Sequence, residues 1–336
     1  MENLYHPVKI GSLELDGNLF LAPVAGYTDR AFRSLCADMG ACFAFTELVS
    51  AEAVSRNSKR YFLDAAAVNL TRRGENEKRY AIQLFGAQGE SIYKAASILA
   101  PARPDALDIN AGCPVPKVVK NGAGSALMKD PSDLGKVVEA AVRASRENLG
   151  GIPVTIKIRS GWDSSSINYV QCAKIAVEAG AEMITLHPRT RAQNYGGRSD
   201  WTLIQDLVSR ITVPVTGSGD LYAPGDAERM LRETGCAAVM FARGAMGNPF
   251  IFAQTRSFLE TGGWEPTPFS ARMEAFTRHL EALALDIGER KACLEARKQF
   301  CAYTKGMTGG AATREKAVRA ETIEEYRRII EEHTRA

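Results

Sequence analysis

Short continuous apolar runs recur along the first three-quarters of the chain, and segments of helical periodicity fill the gaps between them. The runs cover residues 19–24, 42–46, 80–84, 106–109, 154–158, 183–187, 213–217 and 238–242. Their length predicts parallel strands buried on both faces, which need no apolar–polar alternation. Amphipathic segments at 30–39, 91–99, 131–147, 169–179, 201–209 and 225–234 predict the helices between them. Gly40, Gly180 and Gly235 follow three of these segments, as expected for the residue that closes a helix in the left-handed conformation. This repeated strand–helix alternation predicts an α/β chain folded as a (β/α)8 TIM barrel. A doubly wound open sheet is the rival, but it calls for a GxGxxG turn after the first strand, and Ala22-Pro23-Val24-Ala25-Gly26 is not one.

The pattern changes at Gly262-Gly263-Trp264-Glu265-Pro266-Thr267-Pro268, which reads as a linker. Beyond it only helical periodicity remains, at 271–288, 291–305 and 313–334. The expected organisation is a barrel over residues 1–255 and a C-terminal helical bundle over 262–336. With 336 residues and 45% hydrophobic content the chain can bury a full core. Its net charge of +3 neither demands nor excludes a polyanionic partner. The seven cysteines are dispersed without a CxxC pair, so no metal cage is expected. Free cysteines, no apolar leader in residues 1–11 and no bilayer-length apolar run point to a cytoplasmic protein without a membrane partner. A monomer is expected.

Barrel enzymes carry their chemistry at the carboxyl ends of the strands. There the first predicted strand offers the small residues Pro23, Val24 and Ala25, and the third carries Gln83. The fourth runs into Asn110-Ala111-Gly112-Cys113-Pro114, a thiol at a sharp turn. The fifth carries Lys157 between Ile156 and Ile158, and the sixth ends in His187. The seventh leads to Ser218-Gly219-Asp220 and the eighth to Ala242-Arg243-Gly244, followed by Asn248-Pro249 as N-cap and first helical residue. Two glycine-containing turns at strands seven and eight suit a phosphate group. A lysine directed into a barrel needs a counter-charge, and an anionic reduced flavin ring would provide one. A free cysteine more commonly packs as a small hydrophobe; its setting separates Cys113 from the other six, which are expected to be packing residues. His6, His279 and His333 are expected at the surface.

Six motifs in order resemble the signatures of the bacterial tRNA-dihydrouridine synthases. They are Ala22-Pro23-Val24-Ala25-Gly26-Tyr27-Thr28-Asp29, Gln83-Leu84-Phe85-Gly86, Asn110-Ala111-Gly112-Cys113-Pro114, Gly124-Ser125-Ala126-Leu127-Met128, Lys157-Ile158-Arg159 and His187-Pro188-Arg189-Thr190-Arg191. The resemblance implies an FMN-dependent oxidoreductase that reduces the 5,6 double bond of selected uridines in tRNA, with NADPH as electron donor. It places Pro23, Val24 and Ala25 along the flavin ring, Gln83 and Lys157 in hydrogen bonds to it, and His187 beside flavin or uracil. It places Ser218, Gly219, Asp220, Ala242 and Arg243 on the ribityl-phosphate side and makes Cys113 the proton donor. Two positions depart from the family pattern: Ser218 stands for Asn, and Ala242 for Gly. Asn110 and Arg159 are expected at the uracil edge. A flavin barrel acting on a free pyrimidine, of the dihydroorotate dehydrogenase kind, is the alternative.

A target base inside folded tRNA must be extruded to reach the flavin, so phosphate contacts are expected on the protein surface. Arg290, Lys291, Arg297, Lys298 and Lys305, with Phe300 and Tyr303 interleaved, form one candidate patch. Arg189, Arg191 and Arg198 form another.

Overall fold

A computed structural model describes residues 4–56 and 65–335 of the chain. The ends of the two expected units, residues 1–3 and 336, and the segment 57–64 lie outside the described residues. Each continuous apolar run forms a strand. After an N-terminal pair, β1 (Val8–Ile10) and β2 (Leu13–Leu15), come β3 (Leu19–Leu21), β4 (Phe43–Phe45), the two-residue β5 (Val49–Ser50) and β6 (Tyr80–Phe85). Then follow β7 (Ala106–Ala111), β8 (Val154–Arg159), β9 (Met183–His187), β10 (Val215–Ser218) and β11 (Ala238–Phe241). β3 pairs with β4 and β4 with β6; pairing then runs in sequence order to β11, which pairs back with β3, all in parallel. Among the described residues this ring is a closed eight-stranded (β/α)8 barrel, with β5 as a short addition beside β6.

Closure gives every barrel strand two buried faces. One face meets the surrounding helices through residues such as Leu19, Ile82, Leu107, Ile156 and Leu186. The other fills the barrel interior with Phe20, Phe43, Phe45, Ala81, Ala106, Met183 and Met240. The β1–β2 hairpin was not expected, because three-residue strands are too short to show a period. It turns at Gly11, where φ is +53°, and presents Val8, Ile10, Leu13 and Leu15 to that interior cluster. The hairpin therefore plugs the end of the barrel opposite the strand termini discussed below.

The helices fall where periodicity placed them, and Gly40, Gly180 and Gly235 all have positive φ. The helix after β11 begins at Ile251 rather than at Pro249, because Asn248 and Pro249 are part of a preceding turn. It ends at Gly262, and residues 263–268 carry no regular structure. Helices then span Phe269–Ile287, Glu289–Tyr303, Gly310–Ala317 and Ile323–Arg335. The single helix expected at 313–334 is thus two. Thr322 and Glu325 make the break: Thr322 Oγ1 accepts from Glu325 N, and the Glu325 carboxylate accepts from Glu321 N and Thr322 N. This capping box starts a new helix, and Thr-x-x-Glu was its available signal.

The tail is docked on the barrel by paired charges. Arg30 forks onto Asp286 at 2.7–3.0 Å, and both side chains are nearly buried. His279 Nε2 meets Asp29, the N-cap of the helix Arg30–Asp38, at 3.2 Å. His279 is only 2% exposed, which corrects its expected surface position; the partner on another element was invisible in sequence. Phe300 and Tyr303 are also buried, stacked edge-on to Phe276, so neither ring is offered to nucleic acid. Cys301, by contrast, is exposed and is not a packing residue.

A fully buried ion pair ties the helix Arg30–Asp38 to the segment that leads into β6. Arg33 Nε donates to Glu77 Oε1 at 2.8 Å, and its remaining donors reach Thr28 O, Arg72 O and Glu77 Oε2. Removing one member leaves the other charge desolvated. Arg33→Met is expected to lower the unfolding free energy by about 3–5 kcal/mol in urea titrations, and a loss below about 1 kcal/mol would contradict this role.

Candidate functional site

The interior residues of the barrel change character from one end to the other. Below lie the apolar residues just named. Further along the same face, at alternate positions, β6 carries Gln83, β7 Asp108 and Asn110, β8 Lys157 and Arg159, and β9 His187. Register brings these polar residues side by side: Gln83 opposite Asp108, Asn110 opposite Lys157, and Arg159 opposite His187.

One chain of hydrogen bonds orders this polar floor. Asp108 is buried and accepts from Thr155 Oγ1 at 2.5 Å and from Gln83 Nε2 at 2.6 Å. Gln83 Oε1 accepts from Asn110 Nδ2 at 2.8 Å. Asn110 Oδ1 accepts from the backbone N–H groups of Gly112 and Cys113, at 3.2 and 2.9 Å. An ionised carboxylate only accepts and a backbone N–H only donates. The two ends therefore fix the direction of both amides between them. Burial pushes the Asp108 carboxyl up to about 6, against the lowering effects of Thr155, Gln83 and Lys157.

Cys113 is thus held at its own amide by the far end of this chain, and its carbonyl accepts from Ser125 N and Oγ at 3.1 and 2.8 Å. Its side chain is 9% exposed beside Val118, Ala123, Leu48 and Phe85. Burial raises the thiol pKa, opposed by the Val115 backbone N–H and by the nearby charges of Arg159 and Lys157. Lys157 is lowered to about 8 by burial and by Arg159. Its ammonium has no hydrogen-bond partner among the described residues. His187 is driven well below its ordinary value by burial and by Lys157, Arg159, Arg189 and Arg243, which keeps it neutral. Arg189 Nη1 lies 3.3 Å from His187 Nε2; because guanidinium only donates, this contact assigns the His187 proton to Nδ1.

The second half of the rim is organised by Asp220, which has φ +56°. Its carboxylate accepts from Arg189 Nη2 at 2.7 Å, from Arg243 Nη2 at 3.0 Å and from Ser199 N at 2.8 Å. Asp220 therefore orients cations. Gly219 has φ +118°, and a Cβ there would fall 2.4 Å from Ser199 Oγ and 3.0 Å from His187 Cδ2, so the turn tolerates no side chain. Across the mouth, Pro23 and Val24 are half-buried and Ala25 is exposed, in a loop tied by Thr28 Oγ1 to Val24 N and by the Glu47 carboxylate to Gly26 N. Ala242 lies half-buried beside the exposed Arg243.

Four of the expected residues have polar groups engaged within the protein. Ser218 is buried, and its hydroxyl donates to Met240 O at 3.2 Å, so its proton is used within the sheet. Asn110 uses its carbonyl and one N–H within the protein. Arg159 is 2% exposed and joins the Cys113 loop to the loop after β9 through Gly112 O, Thr190 O and Asn194 O. Arg189 is 1% exposed and ion-paired, so it belongs to the floor rather than to a surface patch. Asp108, Thr155 and Glu47 were missed. Asp108 sits two residues before Asn110 on the same strand face, which was the available signal.

Comparison with known proteins converges on one family. The family model described as "Dihydrouridine synthase (Dus)" matches residues 20–335. A probable tRNA-dihydrouridine synthase of Treponema pallidum is 47% identical, covering 97% of this chain and 96% of that protein. A tRNA-dihydrouridine synthase B of Pseudomonas aeruginosa is 35% identical over 90% and 88% of the two chains. An old yellow enzyme homologue from Zymomonas mobilis superposes with a TM-score of 0.53 at 12% identity, covering 80% of this chain and 96% of that one, and shares the fold.

The Asp108→Asn variant presents an N–H where Gln83 or Thr155 now donates, so the bonds along the chain cannot all keep their direction. Exchange of the Gly112 and Cys113 amide protons is expected to accelerate roughly ten-fold, the equivalent of one lost hydrogen bond. Thr155→Val, which removes the other bond to Asp108, should leave those protons protected; equal effects would contradict the directed chain. Because burial raises the folded carboxyl from 3.8 to about 6, its contribution favours folding below about 4 and is lost as pH rises through 6. The stability of wild type relative to Asp108→Asn should therefore fall between pH 4 and 6 in urea titrations, and a flat difference would be evidence against it.

Proposed function

The chain belongs to the dihydrouridine synthase family, and from that premise we propose that it reduces the 5,6 double bond of specific uridines in tRNA, with FMN as cofactor and NADPH as reductant. The observation that supports this reading most is the convergence of Cys113, Lys157 and Gln83 on one polar floor at the carboxyl end of the barrel.

The residues present fit a flavin. Lys157 is a half-buried ammonium without a hydrogen-bond partner among the described residues, suited to an electron-rich ring edge. Gln83 keeps one N–H and one lone pair beyond its bonds to Asp108 and Asn110. Pro23, Val24 and Ala25 offer a low-relief wall. Gly219, Ala242 and Arg243, with Arg243 steered by Asp220, supply backbone N–H groups and positive charge for a phosphate. When bound, FMN supplies a hydride to C6 of the uracil.

Carbon C5 of the uracil then needs a proton. Cys113 is suited to give it, because burial keeps its thiol protonated at neutral pH. Among the described residues no base is hydrogen-bonded to the sulfur as a nucleophilic cysteine would require. The Asp108–Gln83–Asn110 chain holds the backbone that carries the thiol. Arg159 braces the same loop from the other side, and His187, neutral and oriented by Arg189, offers Nδ1–H to a carbonyl oxygen. Residues 1–255 would form the catalytic unit and 262–336 a helical unit that grips tRNA in the cytoplasm. Among the described residues no helix is long and apolar enough to cross a membrane.

Cys113→Ala is expected to retain FMN and its reduction by NADPH while losing at least about 100-fold in dihydrouridine formation, the usual scale for a general acid. Nucleoside mass spectrometry of tRNA treated with purified enzyme measures this. Wild-type turnover by the variant would remove the proton-donor role, and turnover of a free pyrimidine but not of tRNA would favour a small-molecule reductase.

A further inference from the structure

A second cavity lies where the barrel rim, the linker and the helical tail meet. It encloses about 350 Å³ and is lined by Tyr222, Arg243, Trp264, Arg272 and Lys305 among others, with no carboxylate side chain in its wall. The larger cavity beside Gly26 differs in charge: four carboxylates there face four cations.

The wall is built to hold its shape. Gln254 Nε2 donates to Glu265 O and Thr267 Oγ1, each at 3.0 Å, and so pins the linker that carries Trp264. Arg272 Nη2 donates to Tyr303 O and to Lys305 O, which fixes the backbone of Lys305 at the end of the tail helix. Arg243 is braced by Asp220 and lies 5.4 Å from the centre of the Tyr222 ring. Lys305 has no ion-pair partner among the described residues. Trp264 is 39% and Tyr222 46% exposed, in a wall that also carries Arg243, Arg272 and Lys305.

Arg272 and Lys305, with no ion-pair partner among the described residues, favour phosphate, and exposed aromatic rings select the face of a base. Together they fit a single nucleotide unit whose base is free to stack. A base inside a duplex hides its faces, whereas an unpaired one in a loop presents them. We propose that this cavity holds one unpaired nucleotide of the tRNA other than the uridine that is reduced, its base against Trp264 and Tyr222 and its phosphate on Lys305. This rests on the function proposed above. It gives the enzyme a grip on its substrate shared by barrel, linker and tail. The adenosine phosphate of NADPH offers the same chemistry, and the test separates the two sources.

The test uses the full-length flavin-loaded enzyme with unmodified tRNA. Trp264→Ala is expected to weaken tRNA binding about ten-fold, the loss typical of one stacked base, and Trp264→Phe to restore most of it. Lys305→Ala should reduce the slope of log affinity against log salt by roughly 0.7, one single-strand phosphate contact. The KM for NADPH in flavin reduction without tRNA should be the same in wild type and Trp264→Ala. Unchanged tRNA affinity in Trp264→Ala, or a loss that appears in the KM for NADPH instead, would overturn the proposal. The function itself would fail differently, as a wild-type enzyme that forms no dihydrouridine.

Discussion

Asp108 is an acceptor with no donor to offer, and the backbone N–H groups of Gly112 and Cys113 are donors with nothing to accept. Between these two ends stand the side chains of Gln83 and Asn110, each able to point either way. Only one arrangement satisfies every bond, and it is the one observed. The cost of a misdirected buried amide makes that arrangement unique. The thiol loop is therefore positioned from inside the barrel, by residues on two adjacent strands, rather than by the loop's own sequence. The remaining polar residues follow: Lys157 lies opposite Asn110 in the β7–β8 register, and Arg159 caps the floor by holding Gly112 O.

The fold was legible because closure of a parallel barrel leaves a strong trace. Every strand is buried on both faces, so each appears as a short, largely apolar run, and each crossover helix must be amphipathic. The hairpin that plugs the barrel left no such trace, since three residues cannot define a period. The tail was legible as helical but not in its docking, because Asp286 and His279 find their partners on a helix some 250 positions earlier in the chain.

The site was legible where a polar residue interrupts a buried strand, as Gln83 and Lys157 do, or where a turn motif marks the spot, as at Cys113. It was misread where side-chain direction decides the matter. Ser218 has an oxygen, but it faces Met240 O within the sheet. Arg189 reads as one of three surface arginines, yet its partner Asp220 lies on the next barrel turn and draws it inward. Phe300 and Tyr303 alternate with basic residues in sequence but lie on the buried stripe of their helix. The same rule explains why Trp264 went unremarked: a tryptophan in a linker acquires meaning only from the cations that three separate segments bring beside it.

The most direct measurement of the directed chain is a neutron structure of the deuterium-exchanged protein near neutral pH, which locates the hydrogens themselves. The account requires Gln83 Nε2–D pointing at an ionised Asp108, Asn110 Nδ2–D pointing at Gln83 Oε1, the Cys113 amide deuteron on Asn110 Oδ1, and a deuteron on Cys113 Sγ. Reversed amides, or a bare thiolate at Cys113, would contradict it.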